Sequence, residues 1–151
     1  MNYDELILEC EKENILVAEM PMEFYDGRII GNFVLINTNM NQTQKACVLA
    51  EELGHYHTTV GDILDQTDVS NRKQERTARL WAYNKQIGLS GLVHCFEARC
   101  QNIHEMADHL DVTEAFLQDA LECYRQKYGI CTSYQQYTIY FEPKLAICKK
   151  L

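Results

Sequence analysis

A block of strand-forming residues near the N-terminus sets the first constraint on what this chain can fold into. ILVAEM (Ile15 to Met20) and RIIGNFVLIN (Arg28 to Asn37) carry β-branched and aromatic residues that alternate or run together in strand fashion. Asp26-Gly27, lying between EMPMEFY and the second run, is a turn signal. A hairpin or small antiparallel sheet is therefore expected between residues 15 and 37. Before it, Leu6, Ile7 and Cys10 recur at helical spacing from Tyr3 to Asn14, so the chain opens as helix then strand.

After the strands the period changes. Asn39 to Thr43 are polar cap-forming residues, followed by Ala46, Cys47, Leu49, Ala50 and Leu53 as a buried stripe, which predicts a helix from about Gln42 to about His57. A polar connection through Gly61, Asp62 and Asp68 leads to Ser70 or Asn71 as the cap of a second helix. Its apolar side carries Ala78, Leu80, Trp81 and Ala82, and it should end near Gly88. Short helices follow in GLVHCFEAR, IHEMADHL and VTEAFLQDALECYRQKYG, the last stopped by Gly129. The tail TSYQQYTIYFEP reads as a terminal edge strand. The expected class is α+β, with residues 1–88 as a core, a boundary near Gly88 to Gly91, and residues 89–151 as a helical subdomain packed on it.

With 151 residues the chain is the size of one ordinary domain, and its 46% hydrophobic and 24% charged residues are those of a folded protein. A net charge of −8 without a dense run of lysine or arginine makes a phosphate backbone a poor partner. Apolar stretches such as Phe33 to Ile36 fall far short of the roughly 20 residues that span a bilayer. The acidic, amphipathic start MNYDELILECEKEN does not read as a signal peptide, so a cytoplasmic location is expected. Seven singly scattered cysteines, with no Cys-x-x-Cys, fit reduced thiols better than a disulfide framework or a cysteine-bound zinc.

The stretch with most chemical content is L-A-E-E-L-G-H, Leu49 to His55. Glu51 and His55 stand four residues apart, on one helix face, and can converge on one ion. Glu52, about 100° round the helix, sits where a metallopeptidase needs the carboxylate that takes a proton from the attacking water. A third donor has to come from another element, and Glu75 in KQERTARLWA is the candidate, with Ala78 and Ala82 small enough beside it for close helix packing. The same letters also describe a solvated helix face with a histidine near its end.

The order of helix, small sheet, motif helix and then a helix bearing E-x-x-A resembles the ImmA/IrrE metallo-endopeptidases of phage and mobile-element type across nearly the whole chain. LAEELGHYHTTVGDI and KQERTARLWAYN carry the likeness. The resemblance implies a zincin-like core of small sheet, motif helix and second ligand helix, followed by a helix-turn-helix-like C-terminal part. It implies Glu52 as base and His55 and Glu75 as metal ligands, where the family carries H-E-x-x-H. This chain has Glu51 at the first histidine, giving E-E-x-x-H. Glutamate binds zinc through oxygen, so Glu51, His55 and Glu75 remain a chemically reasonable set. A second carboxylate neutralises a divalent ion, slows turnover, and shifts preference from zinc toward manganese or another hard ion.

His57 points away from Glu51 and His55 if the helix continues, and His94, His104 and His109 have no zinc spacing to any cysteine. Trp81 reads as core. NIHEMADHLDVTEAFLQDAL has the packing pattern of a helix-turn-helix around Asp111, but Glu114, Asp119 and Glu122 on its second helix would repel phosphates. The resemblance points instead to a protein partner, a helix-turn-helix repressor, with no direct nucleic acid and no membrane. Cleavage of that repressor to derepress transcription is the expected activity; the alternative is a non-catalytic antirepressor that sequesters it, which the substituted Glu51 favours. A DNA-binding regulator is a third reading, opposed by the acidic composition.

Overall fold

The computed structural model describes residues 1–59 and 68–151, the side chains of 68–70 excepted. The expected connection through Gly61 and Asp62, and the capping side chain at Ser70, lie outside the described residues. The class is α+β. The chain divides into two compact units, Met1–Lys85 and Gln86–Leu151.

The N-terminal unit begins with α1 (Tyr3–Lys12). Asn2 and Glu5 form a capping box, Glu5 N donating to Asn2 Oδ1 at 2.9 Å and Asn2 N to Glu5 Oε2 at 2.8 Å. Asn14 ends the helix with φ 59°, and Ile15 N donates back to Cys10 O at 2.9 Å, so the apolar pair Cys10 and Ile15 closes the turn as both side chains bury.

Three strands follow, β1 (Leu16–Met20), β2 (Gly27–Ile30) and β3 (Phe33–Asn37), in the order β1-β3-β2. The sheet is mixed rather than antiparallel throughout: β1 runs parallel to β3, and only β2 is antiparallel to it. The tight turn also lies elsewhere than expected. Gly31, with φ 61°, and Asn32 join β2 to β3, whereas Asp26-Gly27 leads into β2. The path from β1 to β2 is held by the Asn37 amide, whose Nδ2 donates to Met22 O and Tyr25 O while Oδ1 accepts from Met22 N and Asn39 N. That set of bonds sends the chain past β3 before β2 begins, leaving β3 as the central strand.

Helix α2 (Gln42–Thr58) starts at a second capping box, Asn41 with Gln44. Its stripe of Ala46, Cys47, Leu49, Ala50 and Leu53 is buried with Val34, Ile36, Tyr3 and Leu6. Under it, Lys45 is buried and ion-paired to Glu19 Oε1 at 2.6 Å, while the Tyr3 hydroxyl donates to Glu19 Oε2 at 3.2 Å. Helix α3 (Asp68–Gln86) begins two residues before the expected cap and ends two before Gly88. Ala78 and Ala82 are fully buried.

In the C-terminal unit α4 (Gly88–Glu97), α5 (Ile103–Leu110) and α6 (Glu114–Tyr128) precede a sheet. Gly88, with φ 64°, redirects the chain at the start of α4. Arg99 and Asp111 take left-handed conformations after α4 and α5, and Cys100 N to Cys95 O and Val112 N to Ala107 O repeat the closure seen after α1. Thr113 caps α6 and Gly129 ends it. The tail is a three-stranded antiparallel sheet, β4 (Cys131–Tyr134), β5 (Tyr137–Tyr140) and β6 (Ala146–Lys149), where the sequence suggested one strand. Gln135, with φ 51°, turns the chain inside the tyrosine-rich segment and makes β5 central, with Tyr137 and Ile139 buried. All seven cysteines are free thiols.

Candidate active site

The motif residues lie on the second half of α2, and a backbone contact brings α3 to them. Gly54 sits against Ala78: a Cβ at position 54 would stand 2.2 Å from the Ala78 carbonyl oxygen. With no side chain at 54 and only a methyl at 78, the two helices approach closely. Residue 55 is next to the contact on one helix, and Glu75 lies one turn before it on the other. His55 Nε2 accordingly lies 3.1 Å from Glu75 Oε2.

Glu75 is held from its other side as well. Arg79 Nε donates to Glu75 Oε1 at 2.8 Å, one turn along α3. The hydrogen bond to Glu75, together with the charges of Glu75 and Glu51, raises the Arg79 pKa further and keeps the guanidinium charged. Arg79 was not singled out from the sequence, although its spacing from Glu75 is that of a helical ion pair.

Glu52 is half-buried against the edge strand. Val48 and Glu52 face Gly27 of β2, where a Cβ would stand 2.5 Å from Val48 Cγ1 and 3.2 Å from Glu52 Cγ. Burial, reinforced by the neighbouring charges of Glu51 and Glu75, pushes the Glu52 carboxyl up to about 7. Three carboxylates and one imidazole thus share a small region, with Arg79 as the nearby cation.

His57 is engaged elsewhere. Its Nε2 is 3.0 Å from Glu13 Oε2 and its ring stacks on Trp81 at 4.8 Å, so Trp81 is half-buried with a histidine over its face rather than enclosed in the core. His94 and His109 are exposed, and His104 bridges Glu114 and Asp108 at the surface.

The donor set fits a divalent cation by its chemistry. An imidazole nitrogen and a carboxylate oxygen already face each other from two helices, and burial followed by the negative charge of Glu51 and Glu75 raises the neighbouring Glu52. The fit is of a pair rather than of a closed shell: among the described residues no three His, Cys, Asp or Glu side chains are grouped to hold an ion. Glu51 acts on Glu52 and Arg79 through its charge.

A mixed sheet is covered by the motif helix, and a second helix brings an acidic residue to it; a family match makes this a metallopeptidase-type domain. The family model for the IrrE N-terminal-like domain, Peptidase_M78, matches residues 10–122, and the chain belongs to that family. No curated protein matches it. Among the described residues no helix is long and apolar enough to cross a membrane.

Proposed function

We propose that the N-terminal unit is a metal-dependent endopeptidase whose substrate is a helix-turn-helix repressor of a phage or mobile element, and that cleavage releases the genes it silences. The observation that carries the reading is the meeting of His55 and Glu75 from separate helices, beside the half-buried Glu52. Glu51, His55 and Glu75 are the donors for the ion, zinc or a harder divalent metal such as manganese. When bound, the ion supplies Lewis acidity that polarises the scissile carbonyl.

The remaining work falls to the chain itself. Glu52 takes the proton of the attacking water and passes it to the leaving amine. The edge strand β2, paired only with β3 among the described residues, offers backbone groups to an extended peptide beside Glu52. Glu114, Asp119 and Glu122 in the C-terminal unit steer the basic DNA-reading surface of a repressor, so association should weaken with salt.

The test joins metal content to cleavage. Elemental mass spectrometry of the purified protein should find about one equivalent of divalent metal, lost in Glu75→Ala. Glu52→Gln should keep the metal and lose repressor cleavage. Undiminished cleavage by Glu52→Gln would sink the assignment of the base.

A second reading is a binder of the same fold that sequesters the repressor without cutting it. The clamp of Arg79 on Glu75, and the absence of a three-donor cluster among the described residues, favour it. Stoichiometric capture of intact repressor by metal-free protein would select this reading.

A further inference from the structure

The C-terminal unit contains a cavity of about 430 Å³, within the range of small-molecule sites. Its floor is apolar: Leu92 and Met106 reach it from the core of the helical layer, Leu121 from α6 and Ile147 from β6. Its polar lining is selective in charge. The chain carries 22 acidic residues against 14 basic ones, yet no aspartate or glutamate lines this cavity, and Lys144 does.

Lys144 is exposed, lies at the cavity, and makes no ion pair or hydrogen bond among the described residues. Asn102 also lines the cavity. Its Oδ1 caps α5 by accepting from Glu105 N, which leaves its Nδ2 as a donor at the same end. One cation and one amide donor, set over an apolar floor, complement a single negative charge on an apolar body.

We propose that this cavity is a binding site for a small apolar monocarboxylate. The carboxylate pairs with Lys144 at the mouth and the hydrocarbon lies along Leu92, Met106, Leu121 and Ile147. The site is independent of the proposed peptidase centre, which lies in the other unit.

Calorimetric titration of the full chain with octanoate, decanoate and 1-decanol tests this, with methyl NMR of Met106 locating the ligand. Decanoate should bind, and each methylene added from octanoate should tighten binding by up to about fourfold. Lys144→Glu should weaken decanoate by about tenfold or more while leaving decanol unchanged. Leu121→Trp, which enlarges a half-buried side chain of the α6 lining, should remove binding of both. Equal binding of acid and alcohol with no response to Lys144→Glu would overturn the carboxylate assignment. No response to decanoate at millimolar concentration, saturation by an apolar peptide instead, or binding that survives Leu121→Trp would overturn the site. Because Glu52→Gln should not alter any of these titrations, failure here is distinguishable from failure of the peptidase reading.

Discussion

Replacing Glu52 by glutamine should stabilise the metal-free protein at pH 8, and the gain should vanish in acid. In the folded chain burial and the charges of Glu51 and Glu75 hold this carboxyl up to about 7, against an ordinary 4.5. Between those values the unfolded chain releases a proton that the native chain retains. Stability of the parent therefore falls as pH rises through that window and levels off above it. The displacement corresponds to roughly 3 kcal/mol at its ceiling. Glutamine keeps the shape and removes the titration, so the variant should match the parent near pH 4 and exceed it by up to about 3 kcal/mol at pH 8. Urea denaturation across this pH range, with a chelator present, reads the difference. Parallel pH profiles for parent and variant, or a variant less stable at pH 8, would refute the electrostatic account. Added zinc should narrow the gap, because a bound cation favours the ionised carboxylate.

Gly54→Ala should cost about 3 kcal/mol or more, or prevent folding, since its Cβ meets the Ala78 carbonyl oxygen at 2.2 Å. Gly31→Ala should cost only about 1 kcal/mol, because space at the turn is open and φ +61° is the only penalty. Similar losses in thermal denaturation would remove the argument for a helix contact at Gly54. Lys45→Met should destabilise by about 2 kcal/mol, less than for a fully buried pair because Glu19 is one-third exposed. An unchanged denaturation midpoint would show that the Lys45–Glu19 pair contributes nothing net.

Much of the helical structure was legible because caps and stripes are local. Asn41 before the stripe from Ala46 to Leu53 marks α2, and Gly129 marks the end of α6. The strand pairing was not legible in the same way. The parallel run of β1 beside β3 depends on the path set by the Asn37 amide, and nothing in the alternation of Ile15 to Met20 records it. Left-handed Arg99 has no residue-type signal at all, and Gln135, which divides β4 from β5 within TSYQQYTIYFEP, has none either. At the site, spacing puts Glu51 and His55 on one helix face, while Glu75 was nominated by its place on the next helix beside Ala78 and Ala82 and by the family resemblance; the structure brings it to His55 but not into a three-donor group among the described residues. Arg79 was missed, although its spacing from Glu75 is that of a helical ion pair. Gly54 and Gly27 were not legible, because a glycine's value there is set by what lies across the gap.

The contact between Gly54 and Ala78 has a consequence for how this site tolerates change over time. Helices that meet through long side chains can drift apart or together by an ångström as those side chains are exchanged, and the residues they display drift with them. Here the main chains themselves are the spacers. Core substitutions elsewhere in α2 and α3 can therefore accumulate without altering the separation of His55 and Glu75, whereas the chemistry at 51, 52 and 75 is free to be rewritten one side chain at a time on a fixed gauge.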